Sequence, residues 1–140
     1  MHDNDGFWPK WVKGALYLWD LGFNDYGRFV QAHHAGAFVL QRLKDNANPL
    51  LVRNWIGPNV GVSMVGDNGR PMPLNRALQQ GELAHHEPLD LDVLLSDSTE
   101  GDLIARVVCV PFKGQDRYYL TNLPRDVFNA VEVAEMYRIR

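Results

Sequence analysis

Residues 15–43, ALYLWDLGFNDYGRFVQAHHAGAFVLQRL, decide the fold of this 140-residue chain. Residues 15–19 are apolar at every position, as in a strand buried on both faces of a sheet, and Asp20 with Gly22 ends the run. Asn24 or Asp25 is placed to cap a helix on which Tyr26, Phe29, Val30 and His33 take the i, i+3, i+4, i+7 spacing of one buried stripe. Gly36 supplies a left-handed stop, and residues 37–43 return as a second strand. Strand, helix and strand at this length make a βαβ unit, so the two strands are expected to run parallel.

Beyond residue 46 the pattern changes to short β-like runs at 50–55, 60–65, 89–95, 103–112 and 117–123, broken by Gly, Pro and Asn. These predict an antiparallel β-rich section rather than further βαβ units. Asp67-Asn68-Gly69 is a turn signal, Lys113-Gly114-Gln115-Asp116 reads as a hairpin loop, and residues 74–80 as a short helical turn. After Pro124 the chain turns helical, with Ala130, Val133, Ala134 and Tyr137 at the apolar spacing.

Composition bounds the classes. A chain of 140 residues with 46% hydrophobic content carries one domain with its own core. No window approaches the roughly 18 consecutive apolar residues of a membrane span, and residues 1–8 lack the basic start and apolar run of a signal peptide, so a cytoplasmic protein without membrane contact is expected. The single Cys109 forms no internal disulfide and agrees with a reducing compartment. A formal charge of −3 argues mildly against a nucleic-acid binder. Five of the 17 acidic residues, however, fall at Asp90, Asp92, Asp97, Glu100 and Asp102, which leaves 14 basic against 12 acidic side chains elsewhere and removes most of that argument.

Two places carry candidate chemistry. In open α/β sheets ligands gather beyond the carboxyl ends of strands, where Asp20 stands; an aspartate capping a turn or helix is the other reading of that position. Tyr137 and Arg140, three apart, would be neighbours on the surface of a continuing C-terminal helix. Residues 18–49, LWDLGFNDYGRFVQAHHAGAFVLQRLKDNANP, resemble the block around the second catalytic aspartate of bacterial insertion-sequence transposases with a DDE active site, of the insertion-sequence-four type. Residues 118–140, YYLTNLPRDVFNAVEVAEMYRIR, are similar to the segment leading into that family's Tyr-x2-Arg-x3-Glu-x6-Lys signature. Asp-x-Gly-aromatic alone is a weak motif; joined to FVLQRLK and to YLTNLP with YRIR it becomes specific, although the middle of the chain matches poorly.

The resemblance implies a partial ribonuclease H-like core: residues 14–45 as its βαβ unit, 46–123 as a β-rich antiparallel insertion, and 124–140 as the start of the signature helix. It implies that Asp20 is one of three carboxylates holding two Mg²⁺ ions, which would cut and join DNA by phosphodiester hydrolysis and strand transfer. Tyr137 and Arg140 would contact phosphates of the transposon end, with Arg42 and Lys44 as further candidates at the end of the second strand. The other two carboxylates have no counterpart within residues 1–140, so a fragment inactive by itself and without tightly bound Mg²⁺ is expected. The strand ending at Asp20 would then leave an open sheet edge that invites self-association. A non-catalytic DNA-binding remnant and an unrelated small metal-dependent hydrolase using Asp20 are the alternatives. Relatives stack an aromatic on an unstacked base, a role open to Trp55 beside ordinary packing. His33 and His34 diverge by roughly 100° on a helix, and His85 and His86 lack Cys partners, so neither pair reads as a metal site.

Overall fold

The computed structural model describes residues 11–19, 26–43, 49–56, 70–79 and 87–139. Strand β1 (Leu16–Trp19), helix α1 (Tyr26–His34) and strand β2 (Phe38–Arg42) form the expected βαβ unit, with β1 parallel to β2 in the register Leu16 to Phe38 and Trp19 to Gln41. Gly36 closes α1 at φ +82°. Strand β3 (Leu50–Asn54), strand β4 (Met72–Pro73), helix α2 (Leu74–Gln79), strands β5 (Leu89–Asp97), β6 (Gly101–Phe112) and β7 (Gln115–Thr121), and helix α3 (Ala130–Arg138) follow.

All described strands belong to one open mixed sheet in the order β1-β2-β7-β6-β5-β3-β4, antiparallel everywhere except between β1 and β2. The antiparallel section therefore does not stand apart from the βαβ unit. Strand β7 returns directly onto β2, and three contacts weld that seam. Thr121 Oγ1 donates to Val39 O at 2.6 Å, Asn122 Oδ1 accepts from Val39 N at 2.8 Å, and Asn122 Nδ2 donates to Ala37 O at 2.9 Å.

Helices cover both faces. Phe29 and Ala32 of α1 and Leu74 and Ala77 of α2 pack against Val39, Leu51, Leu91, Val93, Val107 and Leu120 on one face. On the other, Ala130, Val133, Ala134 and Tyr137 of α3 pack against Leu40, Val108, Val110 and Tyr119. Period-two alternation makes this possible: in β5, Leu89, Leu91, Val93 and Leu95 enter the first core while Asp90 and Asp92 face the α3 side. Emptying such a site, as in Phe29→Ala, costs about 3–5 kcal/mol.

Two expectations change. Strand β1 is not buried on both faces: Leu16 and Leu18 are 39% and 37% exposed, while Tyr17 and Trp19 pack against the core. The reason is lateral position, because β1 ends the described sheet order and α3 packs on β6 and β2. On α1 the buried stripe is Gly27, Phe29, Val30 and Ala32, with Tyr26 half-buried and His33 exposed. The runs 60–65 and 67–69, the capping candidates Asn24 and Asp25, and His85 and His86 lie outside the described residues. Among the described residues no helix is long and apolar enough to cross a membrane.

Candidate nucleic-acid interface

Antiparallel pairing sets Arg42, at the carboxyl end of β2, directly opposite Tyr119 of β7. Directly paired residues share a face of the sheet, so Arg42 and Tyr119 both stand on the side covered by α3. Helix α3 is held there by its apolar stripe and by a capping box: Asn129 Oδ1 accepts from Glu132 N at 2.8 Å and Glu132 Oε1 accepts from Asn129 N at 2.9 Å. Tyr137 on its last turn meets Tyr119, with ring centroids 5.1 Å apart and planes at 49°. Burial pushes the Tyr119 hydroxyl above the usual tyrosine range, and the positive charges of Arg138, Arg117 and Arg42 pull it back down. The corner is therefore electropositive around two aromatic rings.

Of the residues singled out from sequence, Arg42 and Tyr137 are brought to this one corner, bridged by Tyr119. Tyr137 is 6% exposed, so most of its ring serves the core. Asp20, Lys44 and Arg140 lie outside the described residues. Trp19, to which Asp20 is joined, is the last residue of β1, and α3 reaches Arg138 with Ile139 as its C-cap. Among the described residues no group of three or more His, Cys, Asp or Glu side chains comes together as a metal site. With Asp20 outside them, the described residues do not furnish the donor set of a two-Mg²⁺ centre.

A second polar assembly on the α3 face was not foreseen. Arg106 Nε donates to Asp90 Oδ1 at 2.9 Å and Arg106 Nη2 to Asp90 Oδ2 at 2.7 Å, with both side chains almost fully buried. The same guanidinium donates to Leu123 O at 3.1 Å and Phe128 O at 2.8 Å, tying the approach to α3 onto the sheet. Arg125 Nε donates to Asp90 at 3.0 Å and its Nη2 to Asp92 at 3.0 Å, while Trp55 Nε1 donates to the other Asp92 oxygen at 2.8 Å. Arg125 and Arg53 lie 5.0 and 5.8 Å from the Trp55 ring centroid, so this indole is already engaged at its edge and its ring. Sequence held a signal: Asp90 and Asp92 interrupt an apolar alternation, and Arg106 is the only charge in residues 103–112. A carboxylate on a half-buried strand requires a partner, and a lone Arg in the next strand is the obvious supplier.

On the opposite face, Asn122 Nδ2 lies 3.1 Å from His33 Nδ1, and the Asn122 side-chain oxygen and amide are both engaged by strand β2. His33 therefore accepts through Nδ1 in its neutral form, and burial together with the charge of His34 lowers its pKa. Cys109 is buried, and desolvation pushes its thiol up to about 12, an inert setting. Compared with family models, curated proteins and solved structures, the chain matches none.

Proposed function

We propose that this chain carries part of the catalytic core of a DDE-type DNA transposase of the insertion-sequence-four type, a partial ribonuclease H-like βαβ unit extended by a β-rich insertion. The observation that carries the reading is the convergence of Arg42 and Tyr137 on Tyr119 beside the carboxyl ends of the parallel pair β1 and β2. Those two side chains are 95 residues apart in sequence; the resemblance marks Tyr137, and its place at the end of the second strand marks Arg42. Asp20 directly follows the last residue of β1, where a strand end offers a carboxylate to a ligand. In this reading, phosphates of transposon-end DNA lie along Arg42 and Tyr137, with Lys44 and Arg140 as further contacts.

Within the 140 residues only Asp20 matches the three carboxylates that Mg²⁺-dependent strand cleavage and joining need. In this reading the 140 residues contribute DNA contacts and one carboxylate to that machinery, and β1, at one end of the described sheet order, is an edge through which copies could pair.

The test is binding of transposon-end duplex DNA across a salt series, with plasmid nicking followed in Mg²⁺. Affinity that falls steeply with salt, weakens in Arg42→Gln and Tyr137→Phe, and comes without nicking is the expected result. Absence of binding at low salt, or nicking that survives Asp20→Ala, would remove the reading.

A further inference from the structure

Three cations converge on one aromatic ring at the outer end of the β6–β7 hairpin. The Arg138 guanidinium lies 4.6 Å from the Phe112 ring centroid, the Arg117 guanidinium 5.2 Å and Lys113 Nζ 5.3 Å. Arg117 pairs across the strands with Val110 and shares the α3 face with Tyr119, two residues and about 7 Å further along β7. Each cation is attracted by the face of the ring, while the like charges repel one another. Glu135 is bonded to Arg138.

Two further observations indicate that the cluster is set to receive an anion. Arg117 Nε and Arg138 Nη1 are buried without a hydrogen-bond partner among the described residues, and a buried guanidinium donor left unmade is costly. Lys113 also occupies a left-handed turn position at φ +52°, next to Gly114 at φ +79°. A two-residue hairpin turn of this kind favours Asn or Gly at both central positions. A lysine there carries about 1 kcal/mol of backbone strain and presents its ammonium at the tip. Ring, donors and turn all lie on or beside the sheet face that holds Arg42 and Tyr137.

We propose that Phe112, Lys113, Arg117 and Arg138 form a phosphate-binding platform that grips the phosphodiester backbone of nucleic acid beyond the Arg42–Tyr137 corner. The nature of the ligand rests on the DNA-binding reading above; the site and its residues do not appear in that reading. Planar guanidinium donors match the oxygens of a phosphodiester, Phe112 holds the two arginines in place, and Lys113 adds a movable charge.

The experiment measures affinity of the full chain for a short duplex of arbitrary sequence by fluorescence anisotropy across a salt series. The double variant Arg117→Gln/Arg138→Gln is expected to weaken low-salt binding by roughly tenfold and to lower the slope of log affinity against log salt by about 2. The charge-matched variant Lys13→Gln/Arg76→Gln, on exposed positions elsewhere, should bind nearly as the parent does. At matched ionic strength, low-millimolar sulfate should raise the melting temperature of the parent more than that of the platform variant, a readout independent of DNA. Equal weakening in both double variants, or competition by polyglutamate as strong as that by DNA, overturns the platform. Parent-like binding by the platform variant with loss in Arg42→Gln overturns it while leaving the transposase reading intact. No DNA binding by the parent chain overturns both.

Discussion

Two arginine clusters occupy the same face of the sheet, and they solve the electrostatic problem in opposite ways. Around Trp55, the guanidiniums of Arg106 and Arg125 meet Asp90 and Asp92 in a set of charge-assisted hydrogen bonds. Around Phe112, Arg117, Arg138 and Lys113 share one ring, and Arg138 is bonded to Glu135. In the first cluster Arg106 and Arg125 are paired to carboxylates and carbonyls and act as a clamp. In the second, Arg117 Nε and Arg138 Nη1 find no partner among the described residues.

The largest expected effect breaks the first cluster. Arg106→Ala removes the buried partner of Asp90 Oδ2, leaves Asp90 with Arg125 alone, and releases Leu123 O and Phe128 O, so a loss of about 3–5 kcal/mol in a denaturant melt is predicted. Arg125→Ala, at a partly exposed pair, should cost about 1–2 kcal/mol and change Trp55 fluorescence, because the cation beside the indole is gone.

In the second cluster the prediction reverses. Arg117→Gln or Arg138→Gln should leave stability within about 0.5 kcal/mol of the parent or raise it, since repulsion is relieved. Either change should move Tyr119 further above the usual tyrosine range, because these charges hold it down; an ultraviolet titration reads this. Burial raises Tyr26, Tyr118 and Tyr119 alike in the folded chain. Stability tied to them is fully present below about pH 10 and is lost as pH rises toward their folded values.

The smallest effect sets the acid limit of the comparison. His33 has a lowered pKa in the folded chain, so its contribution is present above about pH 6.5 and is lost as pH falls through the folded value. His33→Gln should flatten that part of the stability profile while leaving both arginine clusters unchanged, as followed by melting temperature against pH.

Much of the architecture was legible because it rests on local periodicity. The βαβ unit, the alternation of β5 and the buried stripe of α3 each follow from residues a few positions apart, and of the loop read at 113–116 only Lys113-Gly114 forms the turn, Gln115 and Asp116 pairing in β7. The exposure of Leu16 and Leu18 did not, because an all-apolar strand looks the same at the middle of a sheet and at its end. The candidate interface was half legible. Tyr137 and Arg42 were marked by motif and position, whereas Tyr119 between them, and Phe112 beneath three cations, stood in ordinary β-strand sequence.

Residue order thus dictated which segments become helix or strand and which side of each turns inward, since backbone sterics and side-chain period act within a few residues. Folding in three dimensions alone decided that β7 returns onto β2 to make one sheet, that Asp90 finds Arg106 across sixteen residues, and that Arg117 and Arg138 share a ring. Register and burial are properties of pairs distant in sequence. Whether an arginine is a clamp or an open donor depends on which carboxylate lies within hydrogen-bond reach.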